Sequence, residues 1–383
     1  MTSLKARDQN GAQADAATGD DIGPAVTKRS YFPGFDGIRA IAVGLVLVAH
    51  AGYGDKVPGG LGVTVFFAIS GFLITSLLLN EADASGTVNL KLFYIRRFLR
   101  LFPELLFFVL VTMLLGAALE WRATVIEKAA VIFYFFNYYY VFGQHYFYLD
   151  NVSYPWRQIW SLAVEEHFYF LFPTIVLLFH RRRDILLKVL VALLVLPFLW
   201  RFVTYFAIGL PWEYNYVATD TRIDSIVWGC LLAVMLRSWQ GGAGAPERSG
   251  RPPFLHPALF ALGLALMIFS LLYRSEDFRW TWRFTVQGVA LFLIFANLLF
   301  DPRWKRLVAI LEHPVPRYFG RISYSLYLYH MLVNRLLLYV LPETSRFYPV
   351  IALSISVVVA SASYRLLEVP LKPLRRRFGS HVR

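Results

Sequence analysis

The sequence predicts an all-α integral membrane protein, a bundle of about ten transmembrane helices plus a re-entrant or interfacial aromatic segment. Three observations predict it. Of 383 residues, 57% are hydrophobic and only 16% are charged, against roughly a quarter charged in a soluble domain. Apolar stretches long enough to cross a bilayer recur along the whole chain. Most of the 38 Lys and Arg fall between those stretches, on alternate connections, as membrane insertion requires.

Residues 1–30 are rich in Ala, Asp, Gly and Gln and lack the apolar core of a signal peptide. They read as a disordered cytoplasmic tail. Residues 31–378 form the membrane domain, and 379–383 a basic C-terminal tail. The candidate spans are 38–52, 61–79, 101–119, 159–179, 185–208, 223–238, 254–273, 284–300, 320–341 and 348–368. The segment 129–149 is apolar too, but its centre is Phe133-Tyr-Phe-Phe-Asn-Tyr-Tyr-Tyr140. If it crossed, every later connection would change sides and the Lys and Arg would gather on the outer face. The charge rule therefore places it on the outer side as an aromatic, non-crossing element, with both termini cytoplasmic. The stretch 240–253, rich in Gly, Ala and Pro, reads as a flexible linker. Gly59-Gly60-x-Gly62 reads as a loop turn before a span. No internal repeat is visible.

The net charge of +13 follows from this topology and does not call for a nucleic-acid partner. The basic connections meet membrane lipids instead. The one cysteine, Cys230, excludes an intramolecular disulfide and a cysteine-based metal cluster. It lies in an apolar run and reads as a small core residue. No His, Asp and Glu spacing reads as a metal site.

Polar residues inside such helices are costly and mark function. The first span carries Asp36, Arg39 and His50. Arg39 and His50 are eleven residues apart, about three turns plus 20°, so they share one face about 16 Å apart. His50 would then lie near the middle of the membrane. A neutral imidazole there could act as a general base on a hydroxyl or carry an acyl group as a nucleophile. A hydrogen-bonded packing histidine is the plainer reading.

Trp160-Ser-Leu-Ala-Val-Glu165-Glu166-His167 places two carboxylates at what reads as the outer end of the fourth span. They point about 100° apart, so one of them faces any given cavity. Either they cap a helix N-terminus, or one orients His50. Ser323, Tyr327, His330 and Asn334 share one helix face, with His330 at a depth similar to that of His50. They form a hydrogen-bonded seam or a part of the site. Arg222 and Asp224 suggest an ion pair or a polar substrate contact. Arg96, Arg97 and Arg100, before Leu-Phe-Pro103, make a basic corner at the start of the third span. It satisfies the charge rule, touches anionic lipid, or binds phosphate through paired guanidinium groups. Arg365 and Glu368 read as a local ion pair before Pro370.

Five blocks in order carry a resemblance. Phe35-Asp-Gly-Ile-Arg39 through His50 is similar to an Arg-x10-His motif. Phe66-Phe-Ala-Ile-Ser-Gly-Phe-Leu-Ile74 with Arg96-Arg-x-x-Arg100-x-x-Pro103, Trp160 to Tyr169, Ile322 to His330, and Tyr364-Arg-Leu-Leu-Glu-x-Pro370 complete the pattern. The chain resembles the membrane-bound acyltransferase-3 family over residues 31–378, in a stand-alone form without the esterase-like domain that some members append. The resemblance implies transfer of an acyl group, usually acetyl from cytoplasmic acetyl-CoA, to a hydroxyl of an extracytoplasmic or lipid-linked carbohydrate at the plasma (inner) membrane. It implies catalysis by His50 with Glu165 and then Glu166. Arg39, Arg97 and Arg100 hold the CoA phosphates, with no metal. Asp36, Arg222, Asp224, Tyr327 and His330 contact substrate or support the site. The competing expectation is a transporter or flippase using the same polar residues as a path.

Overall fold

Backbone amides in a bilayer find no water, so long apolar runs close their hydrogen bonds within helices. The computed structural model describes residues 31–146, 154–240 and 250–378. Among these every regular element is a helix: α1 (Phe35–Val48, prolonged by a wider π turn, Ala49–Tyr53), α2 (Gly59–Ser85), α3 (Leu90–Ala118), α4 (Val125–Ile132), α5 (Phe136–Tyr146), α6 (Ile159–Phe179), α7 (Arg183–Phe202), α8 (Trp212–Val217), α9 (Thr219–Trp239), α10 (Pro257–Leu272), α11 (Arg283–Phe300), α12 (Lys305–Leu311), α13 (Pro314–Arg321), α14 (Ser323–Leu337), α15 (Tyr348–Ser363) and α16 (Val369–Arg377). The expected tails 1–30 and 379–383, part of the 129–149 segment and most of the 240–253 linker lie outside the described residues.

Seven helices are long and apolar enough to cross a membrane. Three more of the expected spans are helical but fall short of that measure. α9 carries Asp220, Arg222, Asp224 and Arg237, while α10 and α14 have 16 and 15 residues. Large apolar side chains such as Leu114, Phe170, Leu178 and Leu366 point outward, as lipid-facing residues do. The chain is a multi-pass, all-α membrane protein.

Glycines decide how closely the central helices meet. An added Cβ at Gly71 of α2 would lie 2.0 Å from the Ile226 carbonyl of α9, and one at Gly229 of α9 would lie 1.9 Å from the Ala68 carbonyl. Cys230, fully buried, closes the same contact with a sulfur hydrogen bond to the Gly71 carbonyl at 3.5 Å. In lipid, association gains from such backbone approach more than from hiding apolar surface. Gly59, Gly60 and Gly62 do not form a loop turn. They open α2, and an added Cβ at Gly62 would lie 2.3 Å from the Ala42 carbonyl of α1.

Buried ions tie α9 to its neighbours. Arg201 of α7 meets Asp224 at 2.8 Å with both side chains wholly buried. The same guanidinium donates to the Thr281 carbonyl at 2.8 Å and to Thr285 Oγ1 at 2.5 Å. Arg222 does not pair with Asp224. Two residues apart on a helix they diverge by about 200°. Arg222 donates to the Tyr216 carbonyl at 2.8 Å and to Thr64 Oγ1 at 3.1 Å, and lies over the Phe284 ring.

The third helix begins well before the expected 101–119, so Arg96, Arg97 and Arg100 lie inside α3 rather than at its entrance. The aromatic segment breaks into α4 and α5 at Phe133-Tyr134, with Tyr134 at φ +60°. Neither piece is long enough to cross. The described residues just before α6 pack along α3. Trp156 Nε1 donates to Thr112 Oγ1 at 2.9 Å, and Tyr154 lies against Gly116. α6 therefore starts part-way down the bundle. Its residues meet the first half of α3, with Tyr94 Oη donating to the Phe170 carbonyl at 2.8 Å. At the far end of the chain Glu368 pairs with Arg375 at 3.5 Å. Among the described residues it forms no pair with Arg365, because a π turn at Tyr364–Glu368 moves the two off the same face.

Candidate active site

The site begins where α1 loosens. After Val48 the helix widens into a π turn, with Ala51 at φ −93°, ψ 29° and Gly52 at φ +95°. Only glycine adopts that last conformation cheaply. His50 sits in this turn, so it lies in the final turn of the helix rather than at its middle. Such turns cluster at functional sites because they free backbone groups and re-aim side chains. Here Asn334 Nδ2 donates to the His50 carbonyl at 2.7 Å.

The His50 side chain is exposed, while its partner is not: His330 of α14 retains 1% of its accessible surface. His50 Nδ1 and His330 Nε2 are 3.2 Å apart. The other nitrogen of His330, Nδ1, stands 2.7 Å from the Tyr327 carbonyl. A carbonyl only accepts, so His330 Nδ1 carries the hydrogen. In the neutral ring Nε2 is then an acceptor, and His50 Nδ1 must donate to it. This assignment follows from the bonding pattern. It leaves the lone pair of His50 on Nε2, while the Val46 backbone lies within hydrogen-bonding reach of the same ring.

Tyr327 continues the network. Its hydroxyl is 2.6 Å from Ser161 Oγ and donates to the Gln158 carbonyl at 3.0 Å. Gln158 in turn donates to the Leu328 carbonyl at 2.8 Å. These contacts lock α14 to the start of α6, so the His330 ring is held from both sides.

A second polar cluster lies toward the opposite end of α1. Arg97 sits between the carboxylates of Glu165 and Glu166, each at 3.5 Å, and stacks on the Tyr169 ring with its carbon 3.5 Å from the centroid. Tyr169 Oη reaches Glu165 at 3.3 Å and also bonds Ser70. Arg39 lies within electrostatic reach of Glu165, and Arg39 and Arg97 of Arg100. Among the described residues neither Arg39 nor Arg100 forms an ion pair or a hydrogen bond. Two guanidinium groups in reach of one another, with no carboxylate bonded to either and Glu165 and Glu368 within electrostatic reach, have the donors to bind an anion.

Several sequence expectations change here. Glu165 and Glu166 do not open the outer end of their span. Their ion pairs set them level with Arg97. Both face one partner, because the long guanidinium spans their angular separation. Glu165 does not orient His50; His330 does. Arg97 is occupied by two carboxylates, unlike Arg39 and Arg100. Asp36 lies in the first turn of α1, where a carboxylate complements the helix dipole. Arg222 and Asp224 are buried in separate interactions. Sequence reading did not single out Ser161, Gln158, Tyr169 or Arg201. Ser161 and Tyr169 each stand one turn from Glu165, and that spacing was the available signal.

Two polar clusters on one helix, an imidazole with a free lone pair and a pair of unbonded guanidinium groups, are what acyl transfer from an anionic carrier would need. Residues 32–365 match the family of the acyltransferase domain, acyltransferase-3. The chain belongs to this family. It is similar to the O-acetyltransferase OatA of Staphylococcus aureus (strain NCTC 8325 / PS 47), 30% identical over 89% of this chain and 57% of that protein. It is also similar to the peptidoglycan O-acetyltransferase OatA of Listeria monocytogenes serovar 1/2a, 27% identical over 90% of this chain and 56% of that protein. The chain thus spans a little over half the length of these curated relatives. No solved structure matches it.

Proposed function

We propose that this acyltransferase-3 chain is an integral-membrane O-acyltransferase. It moves an acyl group, acetyl in the simplest case, from acyl-CoA to a hydroxyl of an extracytoplasmic or lipid-linked carbohydrate. The observation that carries the reading is the chain Tyr327 carbonyl, His330, His50, which leaves His50 Nε2 as a lone pair at an accessible position. The orientation follows from the basic connections: the Arg39 end faces the cytoplasm and the His50 end faces outward across the plasma (inner) membrane.

Arg39 and Arg100 receive the phosphates of CoA at the cytoplasmic end, and the thin thiol arm extends along α1 toward His50. Nε2 takes the proton of the acceptor hydroxyl. The oxygen attacks the thioester carbonyl, the carbon–sulfur bond breaks, and the CoA thiolate takes the proton back from the imidazolium. The alternative order, acylation of His50 Nε2 before transfer, uses the same lone pair and the same tautomer. Arg97 with Glu165, Glu166 and Tyr169 holds the helices around this path at a fixed spacing.

The test is transfer of labelled acetyl from acetyl-CoA by membranes containing the chain or its His50→Ala variant. Loss of transfer by at least about a thousandfold is expected, in line with removal of a nucleophile or general base. Wild-type transfer in the variant would overturn the assignment of His50. Movement of a glycan substrate without release of free CoA would favour a transporter.

A further inference from the structure

The His50 end of the bundle carries a surface that the donor path does not use. Arg157, exposed, lies just before α6 and within electrostatic reach of His50. Its guanidinium lies over the Tyr140 ring at 5.2 Å and bonds the Tyr140 hydroxyl. Farther along the same rim, Trp212 stacks on Trp280 with centroids 4.3 Å apart and planes at 26°. Trp212 keeps 40% of its surface exposed. Trp280 is buried, yet its Nε1 has no hydrogen-bond partner among the described residues. Arg279 and Arg283, one turn apart, lie over Trp280 at 5.1 and 5.3 Å.

These groups are contiguous with the catalytic histidine. Ala49, next to His50, packs on Gly59, and Gly60 lies against the Tyr216 hydroxyl. The Tyr216 ring is 6.3 Å from both Trp212 and Trp280, and Tyr140 lies within electrostatic reach of both Arg157 and Tyr216. Glu213 lies on this rim near Tyr140, Glu276 and Asp277 stand just before Arg279 in the chain, and Glu343 lies against Gly52. Among the described residues none of these carboxylates, nor any other, forms an ion pair with Arg157, Arg279 or Arg283.

An exposed indole face beside unpaired guanidinium groups suits one kind of ligand: a pyranose ring, whose C–H face stacks on the aromatic, bearing an anion that the arginines neutralise. From this rim we infer that the acceptor is an acidic saccharide, its ring seated on Trp212 and its carboxylate drawn to the rim guanidinium groups, of which Arg157 is the one within reach of His50. The inference rests on the proposed transfer and names the class of its acceptor. Arg279 and Arg283 guide the anion along the rim, and Tyr216 and Tyr140 offer hydroxyl groups to the ring oxygens.

The test is binding to the full chain in lipid nanodiscs, read by quenching of tryptophan fluorescence. The probes are a glucuronate-containing disaccharide, its glucose counterpart and glucose 1-phosphate. The uronate is expected to bind at least about tenfold more tightly than the neutral sugar, as a charge-assisted contact allows. Arg157→Gln and Arg283→Gln should remove that preference while leaving neutral binding and the melting temperature unchanged. Trp212→Ala should weaken both sugars. Equal binding of uronate and neutral sugar, no binding of either, preference for the phosphate, or a uronate preference that survives both arginine changes would overturn the inference. CoA release from acetyl-CoA, measured separately, judges the transfer reading. CoA release without a uronate preference removes only the acidic acceptor, and a uronate preference without CoA release removes only the transfer.

Discussion

His50 Nδ1 donates to His330 Nε2 across 3.2 Å, and that contact decides which nitrogen of His50 can react. His330 holds its own ring by donating from Nδ1 to the Tyr327 carbonyl at 2.7 Å. In the proposed transfer it is a positioning residue, acting on His50 and touching no reacting atom.

Replacing His330 should therefore lower turnover more than binding. For His330→Phe, kcat is expected to fall by about a hundredfold, the scale seen when a partner group supporting a reactive one is lost, with little change in KM for acetyl-CoA. His330→Gln should recover part of the loss, because a side-chain amide oxygen can accept from His50 Nδ1. Steady-state kinetics in nanodiscs measures both. An equal loss in the Phe and Gln variants would mean that His330 only packs.

Arg39 and Arg100 separate from Arg97 in what their loss should do. If Arg39 and Arg100 hold the donor phosphates as proposed, Arg39→Gln and Arg100→Gln should each raise KM for acetyl-CoA about tenfold or more. Arg97→Gln instead leaves Glu165 and Glu166 without their shared ion-pair partner. The expected result is loss of folded protein in a detergent melt, since breaking a buried pair costs about 3–5 kcal/mol. The double variant Arg97→Gln with Glu166→Gln should melt closer to the wild type.

The α2–α9 seam should tolerate no added atom. Gly229→Ala places a Cβ 1.9 Å from the Ala68 carbonyl and forces the helices apart, at a cost of about 1–3 kcal/mol. Gly44→Ala, where nothing lies within 4 Å, is the control and should be neutral. Thermal unfolding of the two variants side by side reads the difference.

Glu127, in the short helix α4 outside the crossing segments, is a pH probe. Burial pushes its carboxyl up to about 7. The unfolded value is near 4.3, so the folded state holds the proton more tightly. Its contribution to stability is then fully present below about pH 4.3 and lost as pH rises through 7. Glu127→Gln should raise the melting temperature at pH 8 and leave it unchanged at pH 4.3. A gain at the lower pH would assign the effect to packing instead.

Much of the architecture was legible from hydrophobic runs and charge placement. Ten apolar stretches coincide with ten helices, and Tyr-rich 133–140 falls in a broken pair of short ones. Boundaries were less legible where a helix continues past its apolar part. Two of the three arginines inside α3 have acids opposite them, Glu81 of α2 for Arg96 and Glu165 and Glu166 of α6 for Arg97. No window of hydropathy contains that information.

The sequence alone determined that the chain lives in a membrane as a bundle of helices, and that Arg39 and His50 share the first of them. These properties depend on composition and local spacing, which every residue carries with it. Only the tertiary structure decided who meets whom. Three facts are set by the packing of segments far apart in the chain: His330 rather than Glu165 beside His50, Arg201 rather than Arg222 against Asp224, and two unbonded arginines beside a bonded one. A side chain's partner inside a bilayer is chosen by depth and helix neighbours, and here Tyr154 and Trp156 pack on α3 while Glu165 and Glu166 meet its Arg97.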